Sequence, residues 1–168
     1  MGVSTHIYAD RMKITLRDLD DAELDRLFDW EQDPAAVEMA AFTRAHPSDR
    51  EAFDAHYERI RNDPSVFLRA IDDGNGLVGT IGSFTIDGDR EVTYWVNPIR
   101  WGEGLASAAL RVFLTQETVR PIFARVAEHN LGSARVLAHA GFLEIGCETS
   151  YADGLGRDVI EHIYRLPR

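Results

Sequence analysis

The sequence predicts an α/β domain in which one mixed sheet carries helices on both faces. Three observations carry that expectation. Segments of strand-like alternation interleave with segments of helical periodicity. Tight-turn signatures join neighbouring strand segments. The 168 residues, 45% hydrophobic and 27% charged, suit one folded domain spanning residues 1–168, with no repeat and no linker-like stretch.

In chain order, residues 13–17 alternate polar and apolar side chains as a half-buried strand does, and residues 20–32 place Leu24, Leu27 and Phe28 at helical spacing. Asp33-Pro34 is expected to stop this helix. Ser48 and Glu51 have the spacing of a capping box, opening a second helix through Phe53, Tyr57 and Ile60 that ends at Asn62-Asp63-Pro64. Residues 67–71 and 77–86 read as strands around the turn Asp72-Asp73-Gly74-Asn75-Gly76. Asp87-Gly88-Asp89 then leads into a strand over 91–96, closed by Asn97-Pro98. A Gly-containing loop over 100–104 precedes a helix whose Ala106, Ala109, Leu110, Phe113 and Leu114 share a face, with Pro121 just past its end. Residues 122–127 are the next strand, 132–140 a short helix capped by Gly141, and 142–147 and 159–164 the last strands. The order is β-α-α-β-β-β-α-β-α-β-β.

The formal net charge is −10. Such a field repels phosphate backbones and anionic headgroups, so neither nucleic acid nor a membrane surface is an expected partner. A cationic amine is attracted, whereas a ligand with several phosphates needs local backbone donors. Cys147 is the only cysteine, which excludes an internal disulfide and a multi-thiolate zinc site. Its strand-like neighbours suggest inert core rather than a nucleophile. The histidines at 6, 46, 56, 129, 139 and 162 have no close ligand spacing, so no metal is expected. No stretch reaches the ~20 apolar residues of a membrane span, and residues 1–10 hold no long apolar run. Met1-Gly2 opens like a myristoylation signal that His6 breaks. A cytoplasmic setting follows.

Two motifs carry chemistry. In Tyr94-Trp95-Val96-Asn97-Pro98-Ile99-Arg100-Trp101-Gly102-Glu103-Gly104-Leu105-Ala106, a strand ends, two glycines permit close backbone approach, and a helix begins. Free N–H groups converge there on the positive end of the helix dipole, where a pyrophosphate would sit. The dinucleotide fingerprint fails at Ser107, and no Gly-Lys-Ser/Thr follows to make a nucleotide P-loop. Downstream, Asn130-Leu131-Gly132-Ser133-Ala134-Arg135-Val136-Leu137-Ala138-His139-Ala140-Gly141-Phe142 opens with two residues that would cap a helix if they did nothing else.

Together these motifs resemble the GNAT acetyltransferases, especially the branch that acetylates the N-terminal alanine of ribosomal proteins. The resemblance runs from about residue 13 to 166 in element order, with its specific motifs within 91–142. It implies a mixed, mostly antiparallel sheet splayed into a V, with acetyl-CoA in the cleft and its pyrophosphate on the loop over 101–106. The implied cofactor residues are Val96, Arg100, Trp101, Gly102, Glu103, Gly104, Leu105, Ala106, Asn130 and Ser133. Trp101 stands where relatives usually carry Gln or Arg, and Arg100 beside it supplies a charge. Asn130 matches a pantetheine contact and Ser133 a position assigned to protonating the thiolate. The tyrosine that many relatives use for that step falls at Leu137.

Acyl transfer to a primary amine needs a base, because an amine of pKa ~10.4 is only about one part in a thousand neutral at pH 7. Glu91, opening the strand before the phosphate loop, is the first candidate, ahead of Glu148 and His129; an edge-strand surface carboxylate is the alternative reading. A backbone N–H of the strand over 94–96 would meet the oxyanion. Trp30, Phe42, Phe53 and Tyr57 either line an acceptor pocket or form core. The nine acids of residues 18–38, against Arg26 alone, form either a solvated helix face or a funnel for amines. The expectation is direct acetyl transfer from acetyl-CoA to a protein N-terminus or a small amine such as a polyamine, aminoglycoside or amino-acid derivative. A noncatalytic acyl-CoA-binding module is the competing class, and a homodimer is one available assembly.

Overall fold

A computed structural model describes residues 12–168; Met1-Gly2 and His6 lie outside them. The elements are β1 (Thr15–Arg17), a 3-10 turn (Asp21–Glu23), α1 (Leu24–Glu31), α2 (Pro34–Ala40), α3 (Arg50–Asn62), β2 (Phe67–Asp72), β3 (Leu77–Ile86), β4 (Asp89–Val96), a second 3-10 turn (Pro98–Arg100), α4 (Leu105–Gln116), β5 (Ile122–Ala127), α5 (Leu131–His139), β6 (Leu143–Ala152) and β7 (Arg157–Leu166). One seven-stranded sheet has the order β1-β2-β3-β4-β5-β7-β6. Every neighbouring pair is antiparallel except β4 and β5, as the mixed, mostly antiparallel expectation required.

The last two strands run longer than expected, over Leu143–Ala152 and Arg157–Leu166, and the helix starts differ in three places. Asp33-Pro34 starts a helix instead of stopping one: the Asp33 carboxylate accepts from the Ala36 N–H at 3.0 Å, and proline at the first helical position has no N–H to leave unpaired. The third helix is capped by Asp49, which accepts from Ala52 N–H at 3.0 Å, so the Ser48–Glu51 capping box does not form. A capping box does form at Asp20 and Glu23, which opens the 3-10 turn before α1.

Alternation along the strands divides the interior into two layers. Ile71, Val78, Ile81, Val92, Ile122 and Val126 join Leu110, Phe113 and Leu137 under α4 and α5. Their neighbours Ala70 and Leu77 point the other way and pack with Leu27, Phe53 and Tyr57 of α1 and α3. Ala127 on that second face meets Ala41, Ala152 and Val159. Phe53 and Tyr57 are therefore core, while Phe42 is 38% exposed. Cys147 is exposed as well, against the expectation of core, because β6 is the terminal strand of the sheet and residues 143–149 are all exposed.

Where β4 meets β5 the sheet opens. The two strands pair only at Arg90 with Ile122 and Glu91 with Phe123, near their starts. Beyond that vertex β4 stays bonded to β3 and β5 to β7, but not to each other, which produces the V. Between β3 and β4 the backbones approach so closely at Gly79 that a Cβ there would lie 2.2 Å from the Trp95 carbonyl oxygen.

Candidate active site

The V opens into a cleft of about 410 Å³. One wall is the end of β4 with the loop into α4, the other is α5, and Ala36, Met39 and Ala40 of α2 close it from the side. Of the sequence-derived cofactor residues, Val96, Arg100, Trp101, Gly102, Gly104, Leu105, Ala106, Asn130 and Ser133 all border this space. Glu103 does not; its carboxylate holds the Arg100 Nε at 2.6 Å. Arg100 also donates to Asp73 at 3.1 Å, so its charge is already matched by two carboxylates.

The loop has the form of an anion cradle. Gly102 and Gly104 sit at φ of 85° and 81°, where side chains other than glycine are strained, with open space where a Cβ would lie. No side chain caps α4, so its first-turn N–H groups face the cleft without intrahelical partners. The Trp101 indole donates to the Val96 carbonyl at 3.1 Å, tying the loop to the end of β4. Backbone donors at a helix start, in an open cleft, fit a pyrophosphate.

Across the cleft, Asn130 Oδ1 accepts from Ser133 N–H at 3.1 Å, so Asn130 caps α5 while bordering the cleft. The Ser133 hydroxyl lies 2.7 Å from the Tyr94 hydroxyl. Burial pushes the Tyr94 phenol up to about 12, against the opposing bond to Ser133, so the proton stays on Tyr94 at neutral pH. Sequence reasoning looked for a tyrosine at 137, found Leu137, and passed over Tyr94. Leu137 is fully buried in the core. The clue available was alternation: Val92, Tyr94 and Val96 share the face toward α4 and α5.

Glu91 occupies the vertex on the opposite face. It is 7% exposed and accepts from Arg125 Nε at 3.1 Å. Arg125 Nη1 also reaches Glu148 and, at 3.1 Å, Glu161, which in turn accepts from Ser150 at 3.0 Å. Burial opposes the charge on Arg125, but Glu91 and Glu148 outweigh it and raise its pKa. Three carboxylates thus surround one guanidinium. Glu91 and Glu148, read separately from sequence, come together here; Arg125 and Glu161 were missed, being contributed by strands far apart in sequence. His129 is elsewhere, in a shallow groove of about 610 Å³ with Glu38 and Arg157, its ring nitrogen 2.5 Å from the Glu38 carbonyl oxygen.

The acidic segment is not a free funnel. Asp18, Asp21, Glu23, Asp25, Glu31 and Glu38 pair with Arg69, Arg61, Arg17, Arg50, Arg44 and Arg157, while Asp20 and Asp33 cap helix starts. Among the described residues no group of His, Cys, Asp and Glu could hold a metal ion, and no helix is long and apolar enough to cross a membrane.

Comparison with known proteins agrees with this geometry. No curated protein matches the sequence. Among solved structures, spermidine N-acetyltransferase from Vibrio cholerae in complex with CoA and spermine superposes with a TM-score of 0.79 at 18% identity, over 92% of this chain and 95% of that one. The microcin C7 self-immunity acetyltransferase MccE, in complex with acetyl-CoA and AMP, gives 0.77 at 14% identity over 93% of both chains. Mycobacterium smegmatis RimJ in complex with CoA-disulfide gives 0.76 at 20% identity, over 92% of this chain and 81% of that one. The family model of the acetyltransferase (GNAT) domain matches residues 13–143. A glycine loop with open backbone donors at the mouth of a splayed sheet and a match over most of the chain lead to one assignment: this protein belongs to the GNAT family of acetyltransferases.

Proposed function

We propose that the protein transfers the acetyl group of acetyl-CoA to a primary amine by direct attack, with both substrates bound at once. The observation that carries this reading is the juxtaposition at the vertex of the V. An anion-cradling cleft lies on one side of the sheet, and buried carboxylates lie on the other.

Acetyl-CoA, when bound, supplies an acyl group activated as a thioester. The residues suited to hold it are Val96, Arg100, Trp101, Gly102, Gly104, Leu105, Ala106, Asn130 and Ser133, the glycine loop and α4 N–H groups toward the pyrophosphate. Glu91 is proposed as the base: an amine arrives as ammonium, and a buried carboxylate beside the vertex receives its proton directly or through water. Among the described residues, Arg125 is the one group that bonds Glu91, through Oε1, which leaves Oε2 for that proton. Tyr94 and Ser133 hold protons over the cleft side. A phenol at about 12 is a weaker acid than a thiol near 8.5, so Tyr94 serves by donating a hydrogen bond more than by giving up its proton outright.

Glu91, Glu148 and Glu161 outnumber Arg125, and this excess favours a cationic acceptor. Spermidine, an aminoglycoside, free amino acids and an alanine-initiated peptide form the discriminating panel, with thiol release from acetyl-CoA as the readout. Turnover of any of them supports the reading. Tight CoA binding with no turnover across the panel supports the acyl-CoA-binding module instead.

A further inference from the structure

Glu91 on β4 and Glu161 on β7, each 7% exposed, meet at the guanidinium of Arg125 on β5. Arg125 is the next residue on its face beyond Phe123, where the pairing of β5 with β4 ends. From there it reaches back across the parting strands, donating from Nε to Glu91 and from Nη1 to Glu161, both at 3.1 Å, and to the more exposed Glu148. The other charges near this face are spent elsewhere. Glu31 accepts from Tyr57 and Arg44, Glu38 pairs with Arg157, and Arg90, turned to the opposite face, pairs with Glu117. Arg165 stands in register with Phe123, and among the described residues it forms no ion pair with the three carboxylates.

Two buried carboxylates gathered at one point do not both stay ionised without a counter-charge; one of them takes up a proton. A protonated Glu91 would have no capacity to receive a proton from an ammonium. Geometry matters as well, because the bond from Nε fixes Oε1 and with it the direction of Oε2. Resting on the reading of Glu91 as the base, we infer that Arg125 is a positioning residue for the reaction: it keeps Glu91 ionised beside Glu161 and holds its carboxylate in one orientation. Arg125 acts through Glu91 and needs no contact with the thioester or the amine.

The test follows Glu91 both directly and through the rate. In the full chain labelled with carbon-13 at glutamate carboxyls, an NMR titration gives the Glu91 midpoint, its signal assigned by its loss in Glu91→Gln. The pH profile of kcat/KM, with the amine of the panel that turns over fastest, gives the acid limb. Arg125→Gln moves midpoint and acid limb upward by about one pH unit or more and lowers kcat on the plateau by about tenfold or less, with the acetyl-CoA KM little changed. Arg125→Lys keeps the charge and loses the fork, so the midpoint stays within about half a pH unit of wild type while the plateau still falls. Glu161→Gln moves the midpoint downward, because the guanidinium then serves fewer acids, and it decides the matter if circular dichroism finds Arg125→Gln unfolded. A midpoint or an acid limb that stays at its wild-type value in folded Arg125→Gln, or a midpoint unmoved in Glu161→Gln, overturns the inference. So does an Arg125→Lys variant that shifts as far as Arg125→Gln. A Glu91→Gln variant that keeps the wild-type pH–rate profile removes the base reading itself, as does a panel without turnover.

Discussion

The hydroxyl of Tyr94, on the last stretch of β4, lies 2.7 Å from the hydroxyl of Ser133, in the first turn of α5. This bond spans the cleft, and the Tyr94 hydroxyl also lies 3.4 Å from the Ser133 carbonyl oxygen. Both residues border the cleft.

If that pair works as a unit, Tyr94→Phe and Ser133→Ala each lower kcat by about tenfold or less, and the double variant loses little more than either alone. A double-mutant cycle on kcat/KM measures the coupling, expected near 1 kcal/mol for a hydrogen-bonded pair. Fully additive losses would mean that the two hydroxyls act separately.

Glu91→Gln lowers kcat at neutral pH by up to roughly 10²-fold and leaves acetyl-CoA affinity nearly unchanged. Part of the loss returns at high pH, where the amine deprotonates unaided. A pH–rate profile identical to wild type would move the base to another group, with Glu148 of the Arg125 cluster the first to try.

Gly104→Val weakens acetyl-CoA binding roughly tenfold or more, by the loss of one or two charge-assisted N–H contacts. Stability falls too, by about 1–2 kcal/mol, since φ is 81° there and an L side chain is strained in that region. Affinity by calorimetry and stability by urea separate the effects. A folded variant with full affinity would take the pyrophosphate off this loop.

Glu31→Gln acts on the fold rather than on substrate capture. Its carboxylate accepts from the Tyr57 hydroxyl at 2.5 Å and from Arg44 Nη1 at 2.8 Å, beneath α3. Burial, reinforced by the charge of Glu31, holds the Tyr57 phenol well above its ordinary pKa. The expected cost is about 1–2 kcal/mol in urea unfolding, with the amine KM unchanged. A stable variant with a raised KM would restore the funnel reading of the acidic segment.

Glu117 gives the fold an acid-sensitive joint. Burial works to raise its pKa, but bonds from Ser83, the Val119 N–H and Arg90 prevail and lower it. The unfolded chain then takes up this proton at a higher pH than the folded one does. The contribution is therefore full above the ordinary carboxylate pKa and is lost as pH falls through the depressed folded value. Urea midpoints measured from pH 6 down to 3 show this as a slope that Glu117→Gln flattens.

Much of this architecture was legible in local signals. The hairpin turn at 72–76, the helix face of Ala109, Leu110 and Phe113, and the two glycines before α4 each declare themselves within a few residues. Asp33-Pro34 misled because the same dipeptide suits a helix end and a helix start, and only the hydrogen bond from Ala36 separates the two. The functional partners were hidden for another reason. Arg125 meets Glu91, Glu148 and Glu161 by strand order, and Tyr94 meets Ser133 across a sequence separation of 39. Such meetings depend on which strands neighbour one another, a property that no local spacing records.

The early parting of β4 from β5 has a consequence for how the protein avoids sticking to itself. An open sheet normally exposes two margins to strand addition; this one has, in addition, a pair of inner margins along residues 92–96 and 124–127. The Val96 carbonyl there accepts from the Trp101 indole, while the rest of the margin has no strand partner on that side. The gap narrows to a paired vertex, however, and α2 closes its flank with Ala36, Met39 and Ala40. A foreign strand needs room for side chains on both faces, which the paired vertex and α2 deny it. Unsatisfied sheet edge, elsewhere an invitation to aggregation, is here walled into a private slot.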